Sequence, residues 1–230
     1  MTLAPQAGLV AVGDSITRGS GTMVLGVPCL SWAQWLAEAL DLPFTNLAED
    51  GATVPVALAT QVPRLRHRHA VGAVYLGVND VRAVDFDAAA YAAGLETVVA
   101  AVAACADRLV LCTIPLDLGR PRAGAAKVRG ANAIIRATAA RHGAVVASLE
   151  DLRGRELVQP DAVHPTAVGL VEIAERAARA LGEPPHPRAG PPVHRGRRAR
   201  LRFLLTTHVP AVGRDARRRV REDVARRLHR

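Results

Sequence analysis

The chain is short of cysteine, of aromatic side chains and of lysine, and the shortages narrow what it can be. Its 230 residues include three cysteines, Cys29, Cys105 and Cys112, an odd number with neither a disulfide framework nor paired metal-ligand spacing. That excludes a small cysteine-stapled fold and leads us to expect a reducing compartment. Long apolar runs are also missing. No run approaches the roughly 20 apolar residues that span a bilayer, and the early run Gly8–Val12 passes directly into polar Gly13-Asp14-Ser15. The opening Met-Thr-Leu-Ala-Pro-Gln lacks the basic start, apolar stretch and small-residue cleavage site of a secretory signal. The expectation is a cytoplasmic protein without a transmembrane segment.

Arginine carries almost all the positive charge, since Lys127 is the sole lysine. The 30 basic and 21 acidic residues give a net charge of +9, but the excess is local. Residues 1–182 hold 16 basic and 17 acidic side chains, whereas residues 183–230 hold 14 arginines and 4 acids. The division predicts one compact domain over 1–182 and a basic extension over 183–230. Apolar residues make up 50% of the chain, enough for a substantial core and unlike the composition of disorder. The boundary is marked by Gly182-Glu-Pro-Pro-His-Pro187 and Pro191-Pro192, which read as a stiff or irregular connector. Beyond it, Leu201, Leu204 and Leu205 predict a short docked element, and Val220, Val224 and Leu228 form an i, i+4, i+8 stripe. Arg217, Arg218, Arg219, Arg226 and Arg227 surround that stripe. An anionic partner of the tail (RNA, DNA or lipid), an amphipathic helix packed on its own domain and a disordered tail are all open readings. Phe203 is the tail's sole aromatic residue, which gives little support to base stacking.

Short apolar runs alternate with segments of helical period in the first 182 residues. The runs Gly8–Gly13, Phe44–Ala48, Val71–Leu76, Arg108–Thr113 and Ala144–Ser148 predict five strands. Between them, Ser31–Leu40, Val54–His67, Phe86–Cys105, Ala123–His142 and Thr166–Leu181 predict helices, the second made irregular by Pro55 and Pro63. Alternation of this kind gives an α/β fold, a three-layer α/β/α sandwich on a mostly parallel five-stranded sheet.

Three segments carry side chains suited to chemistry. In Val10-Ala-Val-Gly-Asp-Ser15-Ile-Thr-Arg-Gly19, Ser15 follows the first strand, where open α/β sheets place their ligands. It is a candidate nucleophile, although Asp14 and Ser15 would also suit a strand end and a capped turn. In Asp161-Ala-Val-His164-Pro-Thr166, one tight turn separates a carboxylate from an imidazole that it can orient. The same pair would also stabilise the entry to a helix, with Thr166 as its N-cap. In Val74-Tyr-Leu-Gly77-Val-Asn79-Asp80 the apolar run stops at glycine, and Asn79 offers an amide donor. Gly51 offers an unobstructed backbone N–H; with Ser15 N–H, these donors can stabilise an oxyanion, or Asn79 and Gly51 can simply serve turns. His67 and His69, beside Arg64, Arg66 and Arg68, lack further ligands and read as solvated helix-end histidines. Trp32, Trp35 and the loop Gly19–Cys29 are candidates for an acyl-binding surface, although two tryptophans at helical spacing more often belong to a core.

Taken together, Gly13-Asp14-Ser15, Asn46 to Thr53, Gly77-x-Asn79-Asp80 and Asp161-x-x-His164 resemble the four blocks of the SGNH, or GDSL-type, serine hydrolase family. The resemblance covers residues 8–181 and implies the flavodoxin-like SGNH hydrolase fold. It implies Ser15 as nucleophile, His164 as base and Asp161 as its partner, with Ser15 N–H, Gly51 N–H and the Asn79 side chain as oxyanion donors. It further implies hydrolysis of carboxylic esters on small molecules, carbohydrates or lipids, with no cofactor and no metal. The modest connections argue against a large lid, so short acyl groups are the expected substrates; the alternative is a catalytically weak or inactive hydrolase-like protein that binds nucleic acid or an anionic membrane through its arginine-rich tail. Ala48 and Asp50 stand where the family often has glycine and serine, and Asp50 adds negative charge near the expected oxyanion site. A nucleotide site fits poorly, because Gly13 to Gly19 has neither Rossmann spacing nor the Walker Gly-Lys-Ser/Thr ending.

Overall fold

Strands covered by helices on both faces are continuous apolar runs, whereas edge strands can stay short and half-wet. The computed structural model follows that rule; it describes residues 7–19, 23–119, 123–183, 196–210, 212–213 and 216–217. The sheet comprises β1 (Leu9–Gly13), β2 (Phe44–Asn46), β3 (His69–Tyr75), β4 (Ala106–Cys112) and β5 (Val145–Ala147), in spatial order β2-β1-β3-β4-β5. All four pairings are parallel. β1 is buried throughout and β3 nearly so, while the three-residue edge strands β2 and β5 are half-exposed.

The helices are α1 (Ser15–Arg18), α2 (Trp32–Ala39), α3 (Val54–Val56), α4 (Val78–Arg82), α5 (Ala88–Cys105), α6 (Ala125–Arg141), α7 (Ala167–Ala180) and α8 (Arg197–Phe203). α2 packs with α7, and α5 packs with α3 and α6, so the sheet lies between two helical layers. The fold is therefore the α/β sandwich expected, with every strand pair parallel. α3 continues as a wide turn over Ala57–Gln61 and a tight one over Val62–Arg64, because Pro63 has no N–H with which to extend a regular helix.

Some expected boundaries shift for identifiable reasons. β3 begins at His69 and β4 at Ala106, each two residues early, because these two residues pair with one another. His69 is therefore buried at a strand start, where desolvation and then the charge of His67 lower its pKa; it is no solvated helix end, whereas His67 is exposed. α5 is also longer and more apolar than the short runs of the sequence suggest. Its 18 residues have a mean hydropathy of 1.6, so by length and composition it could cross a membrane. Here Tyr91, Leu95, Val98, Val99 and Val102 form its buried face, and the helix packs on β3 and β4.

The C-terminal arm differs from expectation in which side chains it buries. Phe203 joins the apolar core, Leu204 is half-buried, and Leu201 and Leu205 are exposed. Phe203 lies two positions from each of those leucines and thus on the opposite side of a helix, so docking through the ring turns them away. Residues 184–195 of the expected connector, the stripe Val220, Val224 and Leu228, and Arg218, Arg219, Arg226 and Arg227 lie outside the described residues.

Candidate active site

Strand order reverses between β1 and β3, and the carboxyl ends of these neighbours are where an open sheet of this order receives a ligand. Ser15 follows β1 and opens α1, so its amide belongs to the first turn, whose N–H groups have no intrahelical acceptor. Asp14 caps that helix, its Oδ1 accepting from Ile16 N at 2.9 Å. Thr17 holds α1 from behind: its Oγ1 accepts from Trp32 Nε1 at 3.1 Å, and its carbonyl accepts from Ser31 Oγ at 2.5 Å. Trp32 and Trp35 are consequently core residues, 0% and 4% exposed, and neither lines an acyl surface.

His164 arrives from the loop before α7. Its Nε2 lies 3.0 Å from Ser15 Oγ, and its Nδ1 lies 2.7 Å from Asp161 Oδ2. Asp161 Oδ1 accepts from the amides of Val163 at 2.9 Å and His164 at 3.0 Å, which locks the turn. Burial raises the Asp161 pKa, but the hydrogen bond from the His164 ring and then the two amides outweigh it and hold the carboxyl at about 2. An ionised carboxylate only accepts, so Nδ1 carries the ring proton and Nε2 is left as an acceptor for the Ser15 hydroxyl. Thr166 then caps α7, accepting from Gly169 N at 3.1 Å, and fixes the far end of the loop. Thus three side chains spread over 149 positions of sequence form one hydrogen-bonded line.

The remaining expected residues gather beside it. Asn46 Nδ2 donates to the carbonyls of Thr17 and Arg18, and its Oδ1 accepts from Ala48 N, so the loop after β2 is stitched to α1. Gly51 lies in that loop at φ +74°, a left-handed backbone that disfavours other residues, and nothing lies within 4 Å of where a Cβ would be. Asn79 Nδ2 donates to Ala52 O at 3.0 Å and, at 3.4 Å, to Asp14 Oδ2, which ties the Gly51 loop to β3. Gly77, at φ +119°, makes this approach possible, because a side chain there would strike the Tyr91 hydroxyl. Asn79 and Asp80 lie inside α4; Asp80 accepts from Val54 N at 2.9 Å and anchors α3. Asp50 points to solvent and pairs with Arg18 at 3.4 Å, which offsets the charge expected beside Gly51.

One supporting residue has no signature in the local sequence. Gln61 is fully buried, accepts from Gly13 N at 2.9 Å and donates to Gly13 O at 2.8 Å. The side-chain amide thereby fixes the last residue of β1 immediately before Asp14 and Ser15. Its partner is 48 positions away, so only the wide turn of Ala57–Gln61 brings it there. Among the described residues no group of three or more His, Cys, Asp or Glu side chains is placed to hold a metal ion.

Asp14 is 1% exposed, and its pKa is raised from 3.8 to about 7. Burial is the main cause; the Ile16 amide and then the His164 charge oppose it, and Asp80 adds to it. Between these two values the folded state holds a proton that the unfolded state has released, so stability must fall as pH rises. The stabilisation is fully present below 3.8 and lost above about 7, amounting to about 4 kcal/mol at ~1.4 kcal/mol per unit. Asp14→Asn, which cannot ionise, should remove this part of the slope. Urea unfolding of both proteins at about pH 5 and pH 8 measures it, and parallel slopes would refute the assignment.

The model of the GDSL-like lipase/acylhydrolase family matches residues 11–170, a span that includes every residue of this site. No curated protein matches the chain. Among solved structures, the chain is similar to LAE5, an alpha/beta hydrolase enzyme from the metagenome of Lake Arreo, Spain. That match has a TM-score of 0.62 and 24% identity, covering 79% of this chain and 97% of the other. It is also similar to Axe2, an acetylxylan esterase from Geobacillus stearothermophilus, with a TM-score of 0.60 and 18% identity over 80% of this chain and 97% of the other. At such identities these two structures speak for the fold, whereas the family match extends over more than half the chain. The protein belongs to the GDSL-like lipase/acylhydrolase family and is an ester-cleaving enzyme.

Proposed function

We propose that the enzyme hydrolyses carboxylic esters of short acyl groups through an acyl-enzyme on Ser15. The line Ser15 Oγ–His164 Nε2 and His164 Nδ1–Asp161 Oδ2, at 3.0 and 2.7 Å, carries this reading. A free serine hydroxyl is a weak nucleophile at neutral pH, and a hydrogen-bonded base supplies what it lacks. As Ser15 Oγ attacks the carbonyl carbon, His164 Nε2 takes its proton, and Asp161 stabilises the imidazolium that forms. The carbonyl oxygen becomes an oxyanion that receives hydrogen bonds from Ser15 N–H, Gly51 N–H and Asn79 Nδ2. For Asn79 this means giving up the 3.4 Å bond to Asp14, the longer of its two. The C–O bond breaks, His164 returns its proton to the departing alcohol, and the acyl group stays on Ser15. Water then attacks the acyl carbon, losing a proton to His164, and Ser15 leaves with that proton as the acid is released.

Two observations support a short acyl group. The tryptophans nearest Ser15 in sequence are committed to the core, so they add no apolar wall for a long chain. Axe2, of similar fold, is an acetylxylan esterase. We further propose a cytoplasmic location, in keeping with three cysteines that remain free thiols. A series of p-nitrophenyl esters tests the acyl preference: kcat/KM for acetate or butyrate should exceed that for an eight-carbon chain by at least roughly tenfold, since ~1–3 kcal/mol separates such substrates in a fitted pocket. A strong preference for the longer chain would overturn it.

A further inference from the structure

Among the described residues, four of the seven large apolar side chains left exposed lie in the C-terminal arm: Leu201 (57%), Leu205 (61%), Val209 (58%) and Val212 (44%). Their spacing of four, four and three places them along one side of a helix, and the chain is helical over Arg197–Phe203, through the wide turn Leu204–His208 and at 209–210 and 212–213. The arm is fastened by Phe203, which is buried in the core from the other side. The apolar stripe is thus not a face awaiting its own domain, because the docked side is already occupied. Exposed Arg198, Arg202 and Arg217 accompany it, and residues 183–230 together carry 14 arginines against 4 acids.

We propose that this arm docks the enzyme on an anionic lipid surface, with Leu201, Leu205, Val209 and Val212 entering the headgroup boundary and the arginines meeting lipid phosphates. An apolar stripe beside a dense positive charge is what an interfacial helix needs, since each part contributes separately to binding. Arginine stems can lie along the apolar boundary while their guanidinium groups reach the headgroups. Nucleic acid would satisfy the charge but leave the stripe in water, and Phe203, the arm's sole Phe, Tyr or Trp, is buried and unable to stack on bases. A second copy would satisfy the stripe but bring two strongly cationic arms together. In sequence, Val220, Val224 and Leu228 continue the four-residue spacing from Ala216. The inference is independent of the ester chemistry at Ser15.

Co-flotation of the full-length protein near physiological salt tests it, using vesicles of phosphatidylcholine alone and of phosphatidylcholine with about one third phosphatidylglycerol. Binding should appear on the mixed vesicles and fall at least roughly fivefold on the neutral ones, each arginine at the surface being worth about fivefold. The variant Leu201→Gln/Leu205→Gln/Val209→Gln/Val212→Gln should lose at least roughly tenfold in partitioning. Because all four positions are exposed, its thermal unfolding and its hydrolysis of p-nitrophenyl acetate should match wild type, which separates loss of docking from loss of fold. Equal partitioning of variant and wild type, or no binding to either vesicle, would overturn the proposal. So would an RNA or DNA duplex that binds the wild type and the variant equally and displaces the wild type from vesicles, an outcome that assigns the arm to nucleic acid.

Discussion

Ser15→Ala should lower kcat for p-nitrophenyl acetate by at least roughly 10⁴-fold, with little change in stability. The size follows from the chemistry: without Oγ no acyl-enzyme can form, and what remains is attack by water assisted by binding and the oxyanion donors. The small structural cost follows from the position. Ser15 is partly exposed at the start of α1, where Asp14 supplies the cap, and the bond lost is the 3.0 Å contact to His164. Loss of one such hydrogen bond moves stability by about 0.5–1.5 kcal/mol, so the urea midpoint should stay close to wild type. Labelling adds a direct reading: a fluorophosphonate should add its mass to the peptide that contains Ser15 and to no peptide of the variant. A variant that keeps a rate within tenfold of wild type would remove Ser15 from the mechanism, whatever its distance from His164.

Gln61 shows why local pattern reading stops short of the whole site. Strand runs such as Leu9–Gly13 were legible because a strand buried on both faces has to be continuously apolar, and that requirement is met residue by residue. The polar segments that end these runs were legible too, since Gly13-Asp14-Ser15 and Gly77-x-Asn79-Asp80 interrupt β1 and β3 at their carboxyl ends. What brings Ser15 to His164 is long-range: sheet order and the helices on either side decide it, and spacing in sequence does not. Gln61 lies in a segment that reads as an irregular helix, and its bonds to Gly13 depend on a wide turn that nothing in Ala57–Gln61 announces. Ends of elements were set by partners in the same way, as when His69 and Ala106 extend β3 and β4 by pairing. The leucines of the arm show the converse: Leu201 and Leu205 are exposed although their spacing suits docking. Apolar periodicity identifies an amphipathic face, but which face meets the domain was settled by Phe203.

Asp161→Asn should be more damaging to activity than Asp161→Ala and less damaging to the fold, and this crossed order is a sharp test of what the carboxylate does. In the native loop Oδ1 holds the amides of Val163 and His164, while Oδ2 faces the proton on His164 Nδ1. An amide side chain keeps one oxygen for the backbone but turns an NH₂ toward Nδ1. The imidazole then accepts at Nδ1 and carries its proton on Nε2, where it points at Ser15 Oγ and can no longer receive a proton from it. A loss of about 10³–10⁴-fold in kcat is expected from the wrong tautomer alone, with KM nearly unchanged. Alanine imposes no tautomer, so part of the histidine population stays competent and the loss should be smaller. It does, however, leave both amides and the ring N–H without their acceptor, at a cost of about 1–3 kcal/mol in a partly buried turn. The carboxyl is held at about 2 against 3.8 when unfolded, so its stabilising contribution is present above 3.8 and fades as pH falls through about 2. At neutral pH both variants lack it, and urea midpoints should fall in the order wild type, asparagine, alanine, while kcat falls in the order wild type, alanine, asparagine. If both quantities instead fall together, Asp161 serves only to shape the turn, and the tautomer at His164 must be governed from elsewhere.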